Sequence, residues 1–76
     1  TIPVDMAVSG RAQLTIHDLS GRLVRRLAEA DLPAGRREFA WDLRDEQRAA
    51  VRSGIYFCRL VVDGRPADRR RLMVVR

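Results

Sequence analysis

The chain has 76 residues, 46% hydrophobic and 33% charged, with a formal charge of +5 and 15 basic residues, every one an arginine. That balance belongs to a folded chain rather than a disordered one. No apolar run approaches the ~20 residues that cross a bilayer, and a single cysteine excludes an internal disulfide.

A chain this short buries roughly 60% of the surface it exposes when unfolded, which leaves little room for a deep catalytic cleft and predicts one domain over residues 1–76. Arginine keeps its charge and makes planar, bidentate contacts with carboxylates and phosphates. Acids interleave with the bases along most of the chain, so net charge alone does not select nucleic acid as a partner. The sequence opens at Thr1 inside a strand-like pattern, without an initiator methionine or a signal-peptide pattern. We therefore expect a piece cut from a longer protein.

Ile2, Val4, Met6 and Val8 alternate with other residues, the period of a half-buried strand, and Ser9-Gly10 ends it. Ala12, Leu14 and Ile16 alternate next, with Gln13, Thr15 and His17 on the other face. Asp18-Leu19-Ser20-Gly21 is a turn, because Asp bonds the backbone two residues on and Gly21 accepts positive φ. Residues 22–28 fit a bulged strand or a short helix; their place after a hairpin turn favours strand.

Pro33-Ala34-Gly35 predicts a second turn. Phe39 and Trp41 then alternate with Glu38, Ala40 and Asp42, a strand carrying two large rings on one face. Residues 42–52 break the alternation and read as a loop. Ser53-Gly54 opens a central strand with Tyr56, Cys58, Leu60 and Val62 on one face and Ile55, Phe57, Arg59 and Val61 on the other; Arg59 is expected to point outward, near a cross-strand acid or with its stem laid over the sheet. Asp63-Gly64 is a strong hairpin signal, with positive φ expected at both residues. The return strand runs from about Ala67 to the end. Six or so short strands between turns at Gly21, Gly35, Gly54 and Gly64 predict an all-β antiparallel sandwich.

Each group that carries chemistry has a structural reading beside the functional one. Ser53, His17 and Asp18 hold the residue types of a nucleophilic triad, but no nucleophile elbow or oxyanion hole accompanies them, and sequence neighbours in a strand face opposite ways. Cys58 alternates with Tyr56 and Leu60 and reads as a small core apolar residue. Asp42, Asp45 and Glu46 form the one carboxylate cluster and do not match the spacing of a calcium loop. Phe39, Trp41, Tyr56 and Phe57 offer a sugar platform if exposed and a core if buried. Arg69-Arg70-Arg71 offers a phosphate or acidic-protein contact, or an edge that resists pairing with other sheets. A nucleic-acid site would also want exposed aromatics or a groove-entering helix.

The order of motifs is itself informative. Asp18-Leu19-Ser20-Gly21-Arg22, Pro33-Ala34-Gly35, Trp41-Asp42, Ser53-Gly54-Ile55-Tyr56-Phe57-Cys58-Arg59-Leu60 and a basic run into Leu72-Met73-Val74-Val75 occur in that sequence. The chain thereby resembles the immunoglobulin-like domain of the flagellar hook-capping protein and the type-A C-terminal sorting domain of type IX secretion substrates. The resemblance implies an immunoglobulin-like sandwich of about seven strands, no catalysis, no cofactor or metal, and a place at the C-terminal end of an exported bacterial protein that passes through the periplasm.

On this reading the expected function is secretion sorting and cell-surface attachment. Arg69, Arg70, Arg71, Met73 and Arg76 would form the partner-binding strand. Leu14, Ile16, Phe39, Trp41, Tyr56, Cys58 and Leu60 would form the core. The partner would be the secretion machinery or a neighbouring domain of the same polypeptide, with no nucleic acid and no membrane span. The alternatives are a passive spacer packed on a catalytic domain and an assembly module of the hook-capping kind.

Overall fold

The computed structural model describes residues 1–76 and contains six strands and no helix. They are β1 (Ile2–Met6), β2 (Gly10–Asp18), β3 (Leu23–Leu32), β4 (Gly35–Phe39), β5 (Gly54–Val62) and β6 (Arg65–Val74). Two antiparallel sheets result: β1 with β4, and a four-stranded sheet in the order β3-β2-β5-β6. The expected count of about seven strands is thus six here, and residues 40–53 supply only an isolated bridge between Arg44 and Ala50. Within the segment 22–28 the strand begins at Leu23, and it continues to Leu32.

Period-two alternation sets the faces. Ala12, Leu14 and Ile16 of β2 are buried, and so are Tyr56, Cys58 and Leu60 of β5. The register places Leu14 opposite Leu60 and Ile16 opposite Cys58. Ile2, Val4 and Met6 of β1 supply the facing layer of the same apolar cluster, which Val51 and Val74 complete. All 11 buried residues are apolar; the half-buried Arg37, opposite Val4 on β4, leaves its Nε buried without a hydrogen-bond partner.

Turn chemistry follows the sequence. Asp63 and Gly64 adopt φ of 50° and 77°, the two positive values that a tight hairpin needs. Pro33-Ala34-Gly35 carries the chain from the large sheet to the small one, with Gly35 at φ 125°. Asp18 Oδ1 accepts the Ser20 amide at 2.9 Å, the Ser20 hydroxyl at 2.6 Å and the Arg22 amide at 3.0 Å.

Three boundaries differ from expectation. β1 stops at Met6, and Val8 is 66% exposed, because the chain is already crossing between sheets. β4 stops at Phe39, so Trp41 lies beyond the strand; both rings are half-buried at the rim of the core rather than inside it. β6 begins at Arg65, immediately after the turn.

Candidate functional site

The basic strand β6 divides into two faces and a tail. Arg70 stands opposite Cys58 and therefore shares the inner face, where its Nε pairs with Asp68 at 3.1 Å. Arg76 folds back: its amide donates to Ser53 Oγ and its guanidinium to the Leu43 carbonyl, each at 3.0 Å. Arg69, Arg71 and Met73 stand opposite Arg59, Phe57 and Ile55 and point to the outer face of the large sheet. Met73 is 73% exposed. Of the five residues expected at a partner contact, three share one open face and two are held by the chain itself.

The register orders that face into rows. One row runs Arg26, Thr15, Arg59, Arg69 across β3, β2, β5 and β6, and the next runs Leu23, His17, Phe57, Arg71. Arg59 thus lies directly opposite Arg69, not opposite an acid as the alternation alone suggested. Like charges directly opposite one another destabilise a strand pair. The Arg69 guanidinium stacks 4.7 Å from the centroid of Phe57, which partly offsets that repulsion. The ion pairs of the chain join Arg11 to Glu29, Arg25 to Asp42 and Arg70 to Asp68, so the guanidinium groups of Arg26, Arg59, Arg69 and Arg71 pair with no carboxylate. A shallow cavity of ≈ 240 Å³ opens beside them, with His17, Asp18, Leu19, Phe57, Arg59 and Arg69 in its lining.

The residue types of a triad do not converge. The Ser53 hydroxyl accepts the Arg76 amide at 3.0 Å. His17 Nδ1 lies 3.3 Å from the Gly21 carbonyl and Nε2 lies 2.9 Å from the Thr15 hydroxyl, so both ring nitrogens are engaged within the chain. Asp18 is committed to its turn, and the Ser20 hydroxyl first, then the Arg22 and Ser20 amides, hold its carboxyl below the ordinary range. Burial, with the Asp68 carboxylate adding to it, pushes the Cys58 thiol up to about 11, against a small opposing effect of Arg70. A thiol so placed is protonated near neutrality and a poor nucleophile.

The acids of residues 42–46 hold the loop together. Asp42 Oδ1 accepts the Arg44 amide at 3.1 Å, and Asp45 Oδ1 accepts the Gln47 and Ala49 amides at 2.9 and 3.0 Å. Glu46 Oε1 accepts the Arg26 amide at 3.0 Å, and the Glu46 amide donates to Val24 at 3.0 Å, which closes the β3 edge of the large sheet. The rings divide likewise. Trp41 meets Tyr56 edge-on at 5.7 Å and donates its Nε1–H to the Arg44 carbonyl at 3.0 Å, while Phe57 stands outside under Arg69.

Two features escaped the sequence reading. Tyr56 Oη donates to the Arg52 carbonyl at 2.8 Å and so fixes the approach to β5. A tyrosine two residues before a strand cysteine was the available signal. Gly10 matters for closeness rather than for a turn: a Cβ there would lie 2.8 Å from both Asp63 Oδ2 and Val62 Cγ1. That junction matters because Asp63 Oδ1 accepts the Arg11 amide at 2.8 Å.

Against known families, the model of the FlgD Ig-like domain matches residues 4–64, from β1 to the Asp63-Gly64 turn. The matched stretch is most of the chain, and it stops just before β6. No curated protein and no solved structure matches the chain.

Proposed function

Because the chain belongs to the FlgD Ig-like domain family, we propose that it is a non-catalytic assembly module of the hook-capping kind. Its work is to hold a partner protein against the outer face of the large sheet. The observation that carries this reading is the set of arginines on that face whose guanidinium groups pair with no carboxylate, Arg26, Arg59, Arg69 and Arg71. Met73 and Phe57 stand beside them, and arginine, methionine and aromatic residues are the types that interface cores favour. The groups that would do chemistry are meanwhile occupied: Ser53 by Arg76, His17 by Thr15 and Gly21, Cys58 by burial.

The two sheets are, in this proposal, an immunoglobulin-type sandwich. The Tyr56 hydroxyl reaching back to the Arg52 carbonyl supports it, since a tyrosine corner of this form, two residues before a strand cysteine, recurs in that fold. The sorting reading, with export through the periplasm to the cell surface, has less to stand on. The family model that matches is of the hook-capping type, and two of the residues the sorting reading uses, Arg70 and Arg76, are engaged within the chain.

A photo-crosslinking residue in place of Met73, in the full-length protein in its own cell, tests the proposal. Crosslinks to a structural protein of an extracellular assembly are expected. Crosslinks confined to another domain of the same polypeptide would replace it with the spacer reading, crosslinks to export components with the sorting reading, and none at all would remove the docking face.

A further inference from the structure

We propose that the outer face of the β3-β2-β5-β6 sheet binds an acidic, extended segment of its partner, with Arg59, Arg69 and Arg71 each taking a carboxylate. This deepens the assembly reading above and rests on it.

Three observations point to a carboxylate-bearing strand. First, the arginines are repelled where they stand. Arg59 and Arg69 are cross-strand partners with no acid between them, and Thr15, His17 and Arg26 are their neighbours in the adjacent strands. Asp18, the carboxylate that lines the cavity with Arg59 and Arg69, is taken up by the Ser20 hydroxyl and the Ser20 and Arg22 amides, and Glu29 is 3.9 Å from Arg11 and accepts from Gln13. An incoming carboxylate relieves the repulsion as well as making its own bond, so the charge complementarity is built into the free state. Second, the spacing is that of an extended peptide. Arg69 and Arg71 are alternate residues of one strand, about 6.7 Å apart. An extended partner presents every second side chain at the same interval. Third, the rim is apolar: Leu19 and Met73 are exposed at the end of the face near the β2–β3 turn, which suits a partner with apolar residues next to its acids.

The same face is poorly suited to single-stranded nucleic acid, which wants open aromatic surfaces for base stacking. Its one outward ring, Phe57, is covered by Arg69 at 4.7 Å.

The test uses the 76-residue chain and a short fluorescein-labelled peptide of alternating glutamate and valine, read by anisotropy. A single-stranded oligothymidine of matched charge is the competing probe. Two triple variants are compared: Arg59→Ser/Arg69→Ser/Arg71→Ser on the face, and Arg36→Ser/Arg48→Ser/Arg52→Ser elsewhere, which removes the same charge. The face variant is expected to bind the peptide about tenfold more weakly, the combined effect of three exposed charge pairs. The second variant is expected to bind nearly as well as the parent, and both to keep the parent's far-ultraviolet circular dichroism and thermal midpoint. Equal losses in the two variants would reduce the effect to net charge and overturn the proposal. So would tighter binding of oligothymidine than of peptide, or no peptide binding at low ionic strength. In each of these cases a crosslink from position 73 would still stand, so the assembly reading and this inference fail separately.

Discussion

At the scale of single residues, Cys58 shows how much alternation can say. Its place between Tyr56 and Leu60 marked it as core, and it is 4% exposed. Its neighbours Asp68 and Arg70 were not legible, because they come from the next strand and only the register brings them near. The thiol is pushed up from 9.0 to about 11. A folded-state value above the unfolded one means that its contribution is fully present below pH 9.0 and is lost as pH rises towards 11. The loss is on the order of 2 kcal/mol. Urea midpoints should therefore fall more between about pH 8 and about pH 11 for the parent than for Cys58→Ala, in which nothing titrates at that site. Equal falls, or rapid alkylation of the folded protein by iodoacetamide at neutral pH, would place the thiol in solvent. Gly10 teaches the complementary lesson: the sequence marks it as a turn glycine, while the approach of Asp63 to 2.8 Å depends on how the ends of β2 and β5 meet.

At the scale of elements, the strands were legible and the loop was not. Alternation and turn residues marked six strands, but the segment over 22–28 fitted a helix as well and its strand runs on to Leu32, and the strand expected around Phe39 and Trp41 lies at Gly35–Phe39. Residues 42–52 carry no periodicity, so nothing in them announced that the loop is tied to β3 by a guanidinium. Arg25 Nη1 donates to Asp42 Oδ1, to the Arg44 carbonyl and to the Asp45 carbonyl, each at 3.3 Å. Those contacts position Glu46, whose amide and carboxylate close the edge of β3. Arg25→Ala should cost about 1–2 kcal/mol, the range for a partly buried charged donor whose acceptors regain water. Its more specific effect is on exchange: the Glu46 amide should lose hydrogen-exchange protection while amides in β5 keep theirs. Unchanged protection at Glu46 would mean that the loop holds its shape without the guanidinium. The opposite edge, β6, is defended differently. Asp68 Oδ1 takes the Arg69 amide at 2.8 Å, and the inward Asp68–Arg70 pair lies where an added strand would need apolar cover.

At the scale of the whole molecule, a two-stranded sheet covers a four-stranded one. Sequence patterns gave the faces of each strand but not the pairing of β1 with β4, since these lie far apart in the chain and are joined through two crossings between sheets. The small sheet is too narrow to cover the large one alone, so Trp41, Leu43 and Val51 of the loop extend the cover. The residues expected in the core therefore differ in depth. Ile16 is 0% exposed at the centre, whereas Trp41 is only half-buried. Ile16→Ala should cost about 2–5 kcal/mol, which for a domain of this size is a large share of its stability. Trp41→Ala should fall below the range of about 3–5 kcal/mol for a fully buried aromatic. Its loss combines the edge contact with Tyr56 and the bond to the Arg44 carbonyl. Trp41→Phe, which keeps most of the ring contact, should lose only about 1 kcal/mol, the net worth of that bond. Urea denaturation followed by circular dichroism ranks the three. Should Trp41→Ala prove as costly as Ile16→Ala, the loop and not β2 would be the centre of the core; should it cost nothing, the loop would not cover the sheet at all.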